Sequence, residues 1–228
     1  MRRAVIKVKL VTNILRANED MASRNREIFR EKGSKVVNLI SSPGAGKTTL
    51  LETTIRTLKN HLTIGVIEGD LMTTRDGERI AALEVPVVQI NTRGGCHLDA
   101  NMVHKALTEL PSGKLDLIFI ENVGNLVCPS AFDLGEDKKV VILSVTEGSD
   151  KPAKYPTTFE GAAACLLNKI DLLPYTNFNL REFYEDLKTI KPDLPVFEVS
   201  ALTGQGMEAW YGWLTTIDVT GEPSPCRT

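Results

Sequence analysis

A glycine-rich stretch in the first quarter of the chain ends in a lysine and two threonines. It spans 41–49 and follows an apolar, β-branched run at 36–40, and apolar residues at helical spacing come after it. Glycines let consecutive backbone N–H groups face a polyphosphate, Lys47 would reach the outer phosphates, and Thr48 would offer its hydroxyl to Mg²⁺. The pattern predicts a phosphate-binding loop, although Ser41 replaces its first glycine and an ordinary turn is the alternative. The residues expected to contact the nucleotide are Pro43, Gly44, Ala45, Gly46, Lys47, Thr48 and Thr49.

Two later segments have the residue types that read a guanine base. The first, Asn168-Lys169-Ile170-Asp171, follows an apolar run and resembles the guanine-recognition motif of GTPases. A carboxylate at Asp171 would accept hydrogen bonds from the ring N–H and amine of guanine, which adenine cannot match, while the Asn and Lys would brace the pocket. The second, Ser200-Ala201-Leu202, resembles the accompanying loop whose backbone contacts guanine O6. Polar strand-to-helix turns with a capping Asn or Ser are the alternative.

Carboxylates end two further apolar runs. Glu121 and Gly124 follow a run at 117–120; the carboxylate would approach Mg²⁺, and the Gly124 N–H would bond the terminal phosphate. Asp70 and Asp76 follow another run and suit metal binding or the positioning of a water, although either could instead cap the next helix. Together with Lys47 and Thr48, these groups are sufficient for phosphoryl transfer. Which aspartate binds Mg²⁺ is left open.

A thiol and an imidazole stand side by side in a second glycine-rich loop. Cys96 and His97 occupy this loop, and Cys128 follows Gly124 by four residues in another. Thiolate sulfur and imidazole nitrogen suit Ni²⁺ or Zn²⁺, but three ligands leave a tetrahedral or square-planar site incomplete, so a second subunit could finish it. The alternative is that the cysteines are small buried hydrophobic residues and that His97 is a capping or solvent-facing residue.

The elements that must position these residues alternate along the chain. Helical segments separate most of the apolar runs, which predicts an α/β fold with a mainly parallel central sheet flanked by helices, and ligands gathered at the carboxyl ends of its strands. We expect an amphipathic helical segment at 1–34 packed on the core, a nucleotide-binding domain at 35–220 and a loose tail at 221–228. The predicted strands are 36–40, 63–67, 86–90, 115–120, 139–145, 163–167 and 195–199.

Length, charge and cysteine usage narrow the class of protein. The chain has 228 residues and a formal net charge of -2, which is typical of one sizeable domain and argues against nucleic acid as the main ligand. No apolar stretch reaches membrane-spanning length. Four scattered cysteines are too few for a disulfide framework in a chain of this size. We expect a cytoplasmic protein with reduced thiols.

The ordered motifs resemble a known family when they are taken together. A phosphate loop, Glu68-Gly69-Asp70, Cys96-His97-Leu98-Asp99-Ala100, the segment 121–129 and Asn168-Lys169-Ile170-Asp171 occur in the order that is typical of HypB, the P-loop GTPase of nickel insertion into [NiFe]-hydrogenase. The resemblance spans nearly the whole chain, and the segment Glu-Asn-Val-Gly-Asn-Leu-Val-Cys-Pro at 121–129 is far more specific than the phosphate loop.

This resemblance implies a GTPase of the SIMIBI class, a homodimer favoured by GTP and metal, and a Ni²⁺ or Zn²⁺ site at Cys96, His97 and Cys128 near the subunit interface. Hydrogenase maturation proteins and the hydrogenase large-subunit precursor would be its partners. Unlike some members, the chain has no Cys or His in 1–35. The alternatives are the related urease-maturation GTPase UreG, which carries Cys-Pro-His where this chain has Cys128-Pro129-Ser130, and a regulatory GTP-binding module without a metal. Asp171 disfavours an ATP-driven enzyme.

Overall fold

The computed structural model describes residues 10–71 and 74–217, where helices alternate with strands. The tail predicted at 221–228, and the part of the predicted segment 1–34 that precedes Leu10, lie outside the described residues. The strands are β1 (Lys35–Ser41), β2 (Ile64–Asp70), β3 (Val87–Asn91), β4 (Leu117–Glu121), β5 (Lys138–Ser144), β6 (Ala164–Asn168) and β7 (Val196–Glu198). The α-helices are α1 (Leu10–Lys32), α2 (Lys47–Leu58), α3 (Arg75–Ala81), α4 (Ala100–Glu109), α5 (Lys151–Lys154), α6 (Pro156–Glu160), α7 (Leu180–Ile190) and α8 (Met207–Thr216).

The seven strands form one parallel sheet in the order β3-β2-β4-β1-β5-β6-β7. This confirms the predicted α/β fold, and the local apolar runs located every strand to within a few residues. The order makes β4 the neighbour of both β1 and β2, although β4 is distant from both in sequence. Because carboxyl ends of parallel strands share one edge, the loops after β1, β2 and β4 meet there.

One face of the sheet is covered by α2, α3 and α8. Leu51 and Ile55 of α2 are fully buried in this layer, as is Trp210 of α8. The Trp210 indole N–H donates to the Thr54 hydroxyl at 3.0 Å, and the Trp210 and Trp213 rings stack with their centroids 5.3 Å apart. These contacts hold α2 in place, so its first turn lies at a fixed position beside the phosphate loop.

The opposite face is covered by α1 and α4 over one half of the sheet and by α6 and α7 over the other. Phe29 of α1 and Val103 of α4 pack in the same cluster as Ile118 of β4. Phe183 of α7 packs with Val141 of β5. Within the described residues, no helix combines the length and the hydrophobicity that a membrane crossing requires.

Candidate nucleotide and metal sites

The predicted phosphate loop surrounds the amino end of α2. Gly44 and Gly46 adopt left-handed backbone conformations, with φ of 79° and 90°. A Cβ on Gly46 would lie 2.6 Å from the Asn168 amide nitrogen, so glycine is needed for the space as well as for the φ. No side chain caps α2 at Gly46, which leaves its first N–H groups directed at the loop. The loop lines a cavity of about 500 Å³.

Two buried carboxylates face this cavity from neighbouring strands. Glu121 accepts a hydrogen bond from the Thr48 hydroxyl at 2.7 Å and lies 3.3 Å from the Lys47 ammonium. Glu68 is paired with Glu121 across β2 and β4, and each carboxylate has one buried oxygen with no hydrogen-bond partner. Burial and the nearby Glu121 raise the pKa of Glu68 to about 8. Hard, unsatisfied oxygen atoms beside a lysine fit Mg²⁺ and a polyphosphate.

Asp70 and Asp76 line the same cavity, at the end of β2 and in the first turn of α3. Thr74 precedes α3 as its N-cap residue, so neither aspartate caps that helix. Asp76 accepts a hydrogen bond from Arg79 at 3.1 Å. Arg79 also forms a 2.8 Å ion pair with Glu52 of α2, and the sequence analysis missed this arginine. An ion-paired network therefore fixes Asp76 relative to the phosphate loop.

The predicted base-reading residues are joined to the phosphate loop through side-chain contacts. Asn168 donates to the Ala45 carbonyl at 2.9 Å and accepts from the Ala201 N–H at 3.1 Å, so it connects both loops. The Lys169 ammonium donates to the Gly44 carbonyl at 2.7 Å. Asp171 has a buried carboxylate oxygen without a hydrogen-bond partner, which fits a ligand that offers N–H donors. Ser200 is buried, and Leu202 is 82% exposed.

Gly124, the predicted phosphate-sensing glycine, lies against the phosphate loop. A Cβ at this position would approach the Pro43 backbone to 3.2 Å. The loop after β4 and the phosphate loop are therefore in close contact, and a larger residue would push them apart. Of the predicted nucleotide-site residues, the phosphate loop, Lys169, both aspartates, Glu121 and Gly124 line the cavity, while Asn168, Asp171 and 200–202 lie outside its lining.

The predicted metal ligands come together in space. The Cys96 and Cys128 sulfur atoms and a His97 ring nitrogen all lie within 4.8 Å of one another. Cys96 is exposed, whereas His97 is half-buried and stacks on Phe132 with ring centroids 4.0 Å apart. Burial lowers the pKa of His97, which favours the neutral imidazole that binds metals. A hydrogen bond with Cys128 raises the pKa of Cys96. Two sulfurs and one nitrogen fit Ni²⁺ or Zn²⁺. A bound metal ion would favour the thiolate forms of the cysteines over the thiols.

Asn122 connects the metal ligands to the nucleotide site and was not predicted. This fully buried residue follows Glu121, and its side-chain oxygen accepts from the Val123 N–H at 3.0 Å and from the Leu98 N–H at 3.1 Å. Its amide nitrogen donates to Asn38 of β1 at 3.3 Å. One side chain thus joins the loop of Cys96 and His97 to the loop after β4 and to β1, the strand that precedes the phosphate loop.

A parallel sheet with a glycine-rich phosphate loop between its central strand and α2, and with carboxylates at neighbouring strand ends, defines a P-loop NTPase. Residues 35–198 match the family model described as the CobW/HypB/UreG nucleotide-binding domain. The chain is 47% identical over 215 residues to the hydrogenase maturation factor HypB of Escherichia coli K12, covering 94% of this chain and 73% of that protein. It belongs to the HypB family of hydrogenase maturation factors, which confirms the resemblance of the motifs.

The chain is also similar to HypB of Helicobacter pylori, in sequence and in structure. That organism's hydrogenase/urease maturation factor HypB is 40% identical over 211 residues, covering 91% of this chain and 86% of that protein. A crystal structure of HypB from the same organism, in complex with nickel, superposes with a TM-score of 0.83 at 39% identity, covering 87% of this chain and 94% of that one. The roles of individual residues in this chain stay predictions.

Proposed function

We propose that this protein binds and hydrolyses GTP, dimerises around the nucleotide, and delivers nickel to the precursor of a [NiFe]-hydrogenase. The observation that carries the proposal is the continuity of the loop after β4. Within eight residues, the end of β4 and this loop contain Glu121, which contacts the phosphate-loop threonine, Asn122, which contacts the first ligand loop, and Cys128, which is a metal ligand candidate.

Support for guanine comes from Asp171. Its buried, unpartnered oxygen would be satisfied by the ring N–H and the exocyclic amine of guanine, whereas adenine presents no such pair of donors. The Asn168 side chain is already engaged by both flanking loops, so it would shape the pocket rather than read the base.

Hydrolysis would use the groups around the phosphate loop. Lys47 would neutralise charge on the outer phosphates, and the Gly124 N–H would bond the terminal phosphate. Thr48, Glu121 and Glu68 would hold Mg²⁺ with one or both of Asp70 and Asp76. The metal ion would supply charge neutralisation between the phosphates when bound. Loss of the terminal phosphate would free Gly124 and therefore the loop that ends at Cys128.

Nickel is the cargo in this scheme. Cys96, His97 and Cys128 of one chain offer three donors, and closure of two chains over GTP would bring two such sets together to complete the coordination. Movement of Cys128 after hydrolysis would then weaken nickel binding. Linkage requires that nickel alters GTP affinity by the same factor by which GTP alters nickel affinity.

The decisive experiment measures Ni²⁺ affinity from thiolate-to-nickel charge-transfer absorption, with GDP or a non-hydrolysable GTP analogue present, while mass in solution is recorded. Wild type should bind Ni²⁺ with different affinities in the two nucleotide states and form a dimer with the analogue. Cys128→Ser should lose most of the affinity in both. Cys165→Ala, which removes a thiol from the core strand β6, is the matched control and should behave as wild type. Equal affinities for wild type and Cys128→Ser in both states would contradict the proposal.

A urease precursor is a second candidate recipient, because the H. pylori relative carries both functions in its name. The ligand set favours the hydrogenase type. Ser130 stands where UreG has the histidine of Cys-Pro-His, and its hydroxyl donates to the Val127 carbonyl at 2.7 Å. The nitrogen donor candidate is instead His97, from a different loop. Transfer of ⁶³Ni from loaded protein to each purified precursor would separate the two recipients.

A further inference from the structure

Helix α1 is bonded to the loop that carries Cys96 and His97. The Asn18 side-chain oxygen accepts from the Ala100 N–H at 2.8 Å, and the Asn25 amide nitrogen donates to the Ala100 carbonyl at 2.8 Å. Ala100 is the first residue of α4 and directly follows the N-cap Asp99. Two asparagines of α1 therefore hold the backbone where the first ligand loop ends.

The same asparagines are bonded to the loop that follows Cys128. Asn18 donates to the Asp133 carbonyl at 2.7 Å, and Asn25 donates to the Leu134 carbonyl at 3.0 Å. Arg26 adds an ion pair in which its Nη2 lies 2.8 Å from each oxygen of the Asp133 carboxylate. Each asparagine thus joins both ligand loops, and it does so through backbone groups.

Helix α1 and the loop that follows Cys128 are so close that position 135 requires glycine. Gly135 has a φ of 93°, and a Cβ there would lie 2.7 Å from the Ala22 carbonyl and 2.8 Å from the Asn25 Cβ. Asn25 and Ala22 are fully buried, and Asn18 is 8% exposed. Buried backbone groups need partners, and a carboxamide is suited to this position because it donates and accepts at once.

We propose that Asn18 and Asn25 are positioning residues for the metal site. Helix α1 fixes the separation of the backbone at Ala100 from that at Asp133 and Leu134, beside the two ligand loops, and this separation sets the geometry of the Cys96 and Cys128 sulfurs. The inference rests on the proposed function, in which these thiols bind nickel. It adds that metal affinity depends on helix α1, which contributes no ligand. Residues that contact and orient metal ligands commonly affect metal affinity.

The first test needs no metal. In a Cys226→Ser background, the two thiols are equilibrated with oxidised glutathione; they give up two protons and two electrons, one protein disulfide forms, and two reduced glutathione molecules are released. Asn18→Ala should lower the equilibrium constant for the Cys96–Cys128 disulfide by about tenfold, since loosened loops hold the thiols together less often. Ser23→Ala is the control, because the Ser23 hydroxyl contacts only the Glu19 carbonyl within α1. It should match the background.

The second test measures Ni²⁺ and GDP affinity of the same variants. Asn18→Ala should weaken Ni²⁺ binding by about tenfold or more, with GDP affinity unchanged. Asn18→Asp, which keeps the acceptor for Ala100 but loses the donor to Asp133, provides a milder second variant and should also weaken Ni²⁺ binding. Equal losses of Ni²⁺ and GDP affinity would indicate a merely structural role and overturn the inference, as would a wild-type disulfide equilibrium in both variants. If wild type binds no nickel, the proposed function fails, and the disulfide equilibrium still decides the positioning role.

Discussion

The candidate nucleotide site and the candidate metal site are built in different ways, although the loop after β4 contributes to both. Around the phosphate loop the functional groups contact each other directly, as when Thr48 and Lys47 meet the buried Glu121. Around the metal, Cys96 is exposed and its contact with His97 is 3.6 Å long. The loops of the metal site are held instead by asparagines that are not ligands, namely Asn122, Asn18 and Asn25.

This difference suits the two tasks. A site for phosphoryl transfer works best when its charges are already oriented before the substrate binds. A site for a cargo metal, as proposed for Cys96, His97 and Cys128, would also have to let the metal leave, which an exposed ligand with supporting residues behind it would allow. Single substitutions can disturb one site at a time, and then the connection between them.

The largest effect should come from Lys47→Ala. We expect GTP hydrolysis to slow by about 10³-fold, because the variant loses the positive charge that stabilises the outer phosphates in the transition state. Phosphate release at saturating GTP measures this. Lys59→Ala is the matched control, since the Lys59 ammonium bonds the Leu83 carbonyl away from the phosphate loop. Nickel affinity in GDP should stay at the wild-type value, and an unaltered hydrolysis rate would remove Lys47 from the mechanism.

A smaller effect on the same site is expected from Asp171→Asn. The amide replaces an acceptor by a donor, so GTP affinity should fall by about 2 kcal/mol, roughly 30-fold, while xanthosine triphosphate should gain affinity. Competition against a fluorescent GDP analogue measures both nucleotides. The gain with xanthosine triphosphate is the internal control for folding. Wild-type preference for GTP in this variant would show that another group reads the base.

Asn122→Ala should disconnect the two sites. The variant loses the bond to the Leu98 N–H, so the ratio of Ni²⁺ affinities in GDP and in the GTP analogue should approach one, a change of about tenfold. Asn91→Ala serves as the control, because the Asn91 oxygen accepts from the Arg93 N–H within its own loop. If Asn122→Ala keeps the wild-type ratio, coupling passes through other residues.

The most gradual effect concerns Glu68 and pH. Its pKa is about 8 in the folded protein and near 4.5 when unperturbed, so its contribution to stability is full below pH 4.5 and is lost as pH rises through 8. Without nucleotide and Mg²⁺, the resistance of Glu68 to ionisation should lower the unfolding free energy by at most about 1.4 kcal/mol for each pH unit of increase across this window. Glu68→Gln should lack this decline in urea denaturation between pH 5 and 8.5. Parallel curves for the two proteins would contradict the burial of an uncharged carboxyl.

The parts of the molecule that the sequence predicted are those with a local signal. Apolar runs predicted the seven strands, glycine spacing predicted the phosphate loop, and the residue types at Cys96, His97 and Cys128 predicted the cluster of three candidate metal ligands. Asn122 was missed because its importance depends on β4 lying beside both β1 and β2, which no short window of sequence encodes. Asn18 and Asn25 were missed because asparagines in an amphipathic helix usually face solvent, and here they contact loops far along the chain.

The stacked tryptophans on α8 give the protein a built-in optical reporter. The chain has two tryptophans, Trp210 and Trp213, and both belong to the helix that follows the base-reading loop. Trp210 is bonded to Thr54 of the helix that begins at Lys47, so a shift of that helix when nucleotide binds should change the surroundings of the indole. Nucleotide binding should therefore be visible in unlabelled protein as a change in fluorescence. If added nickel changes the same emission at a fixed nucleotide, tryptophan fluorescence would report nickel binding without any dye.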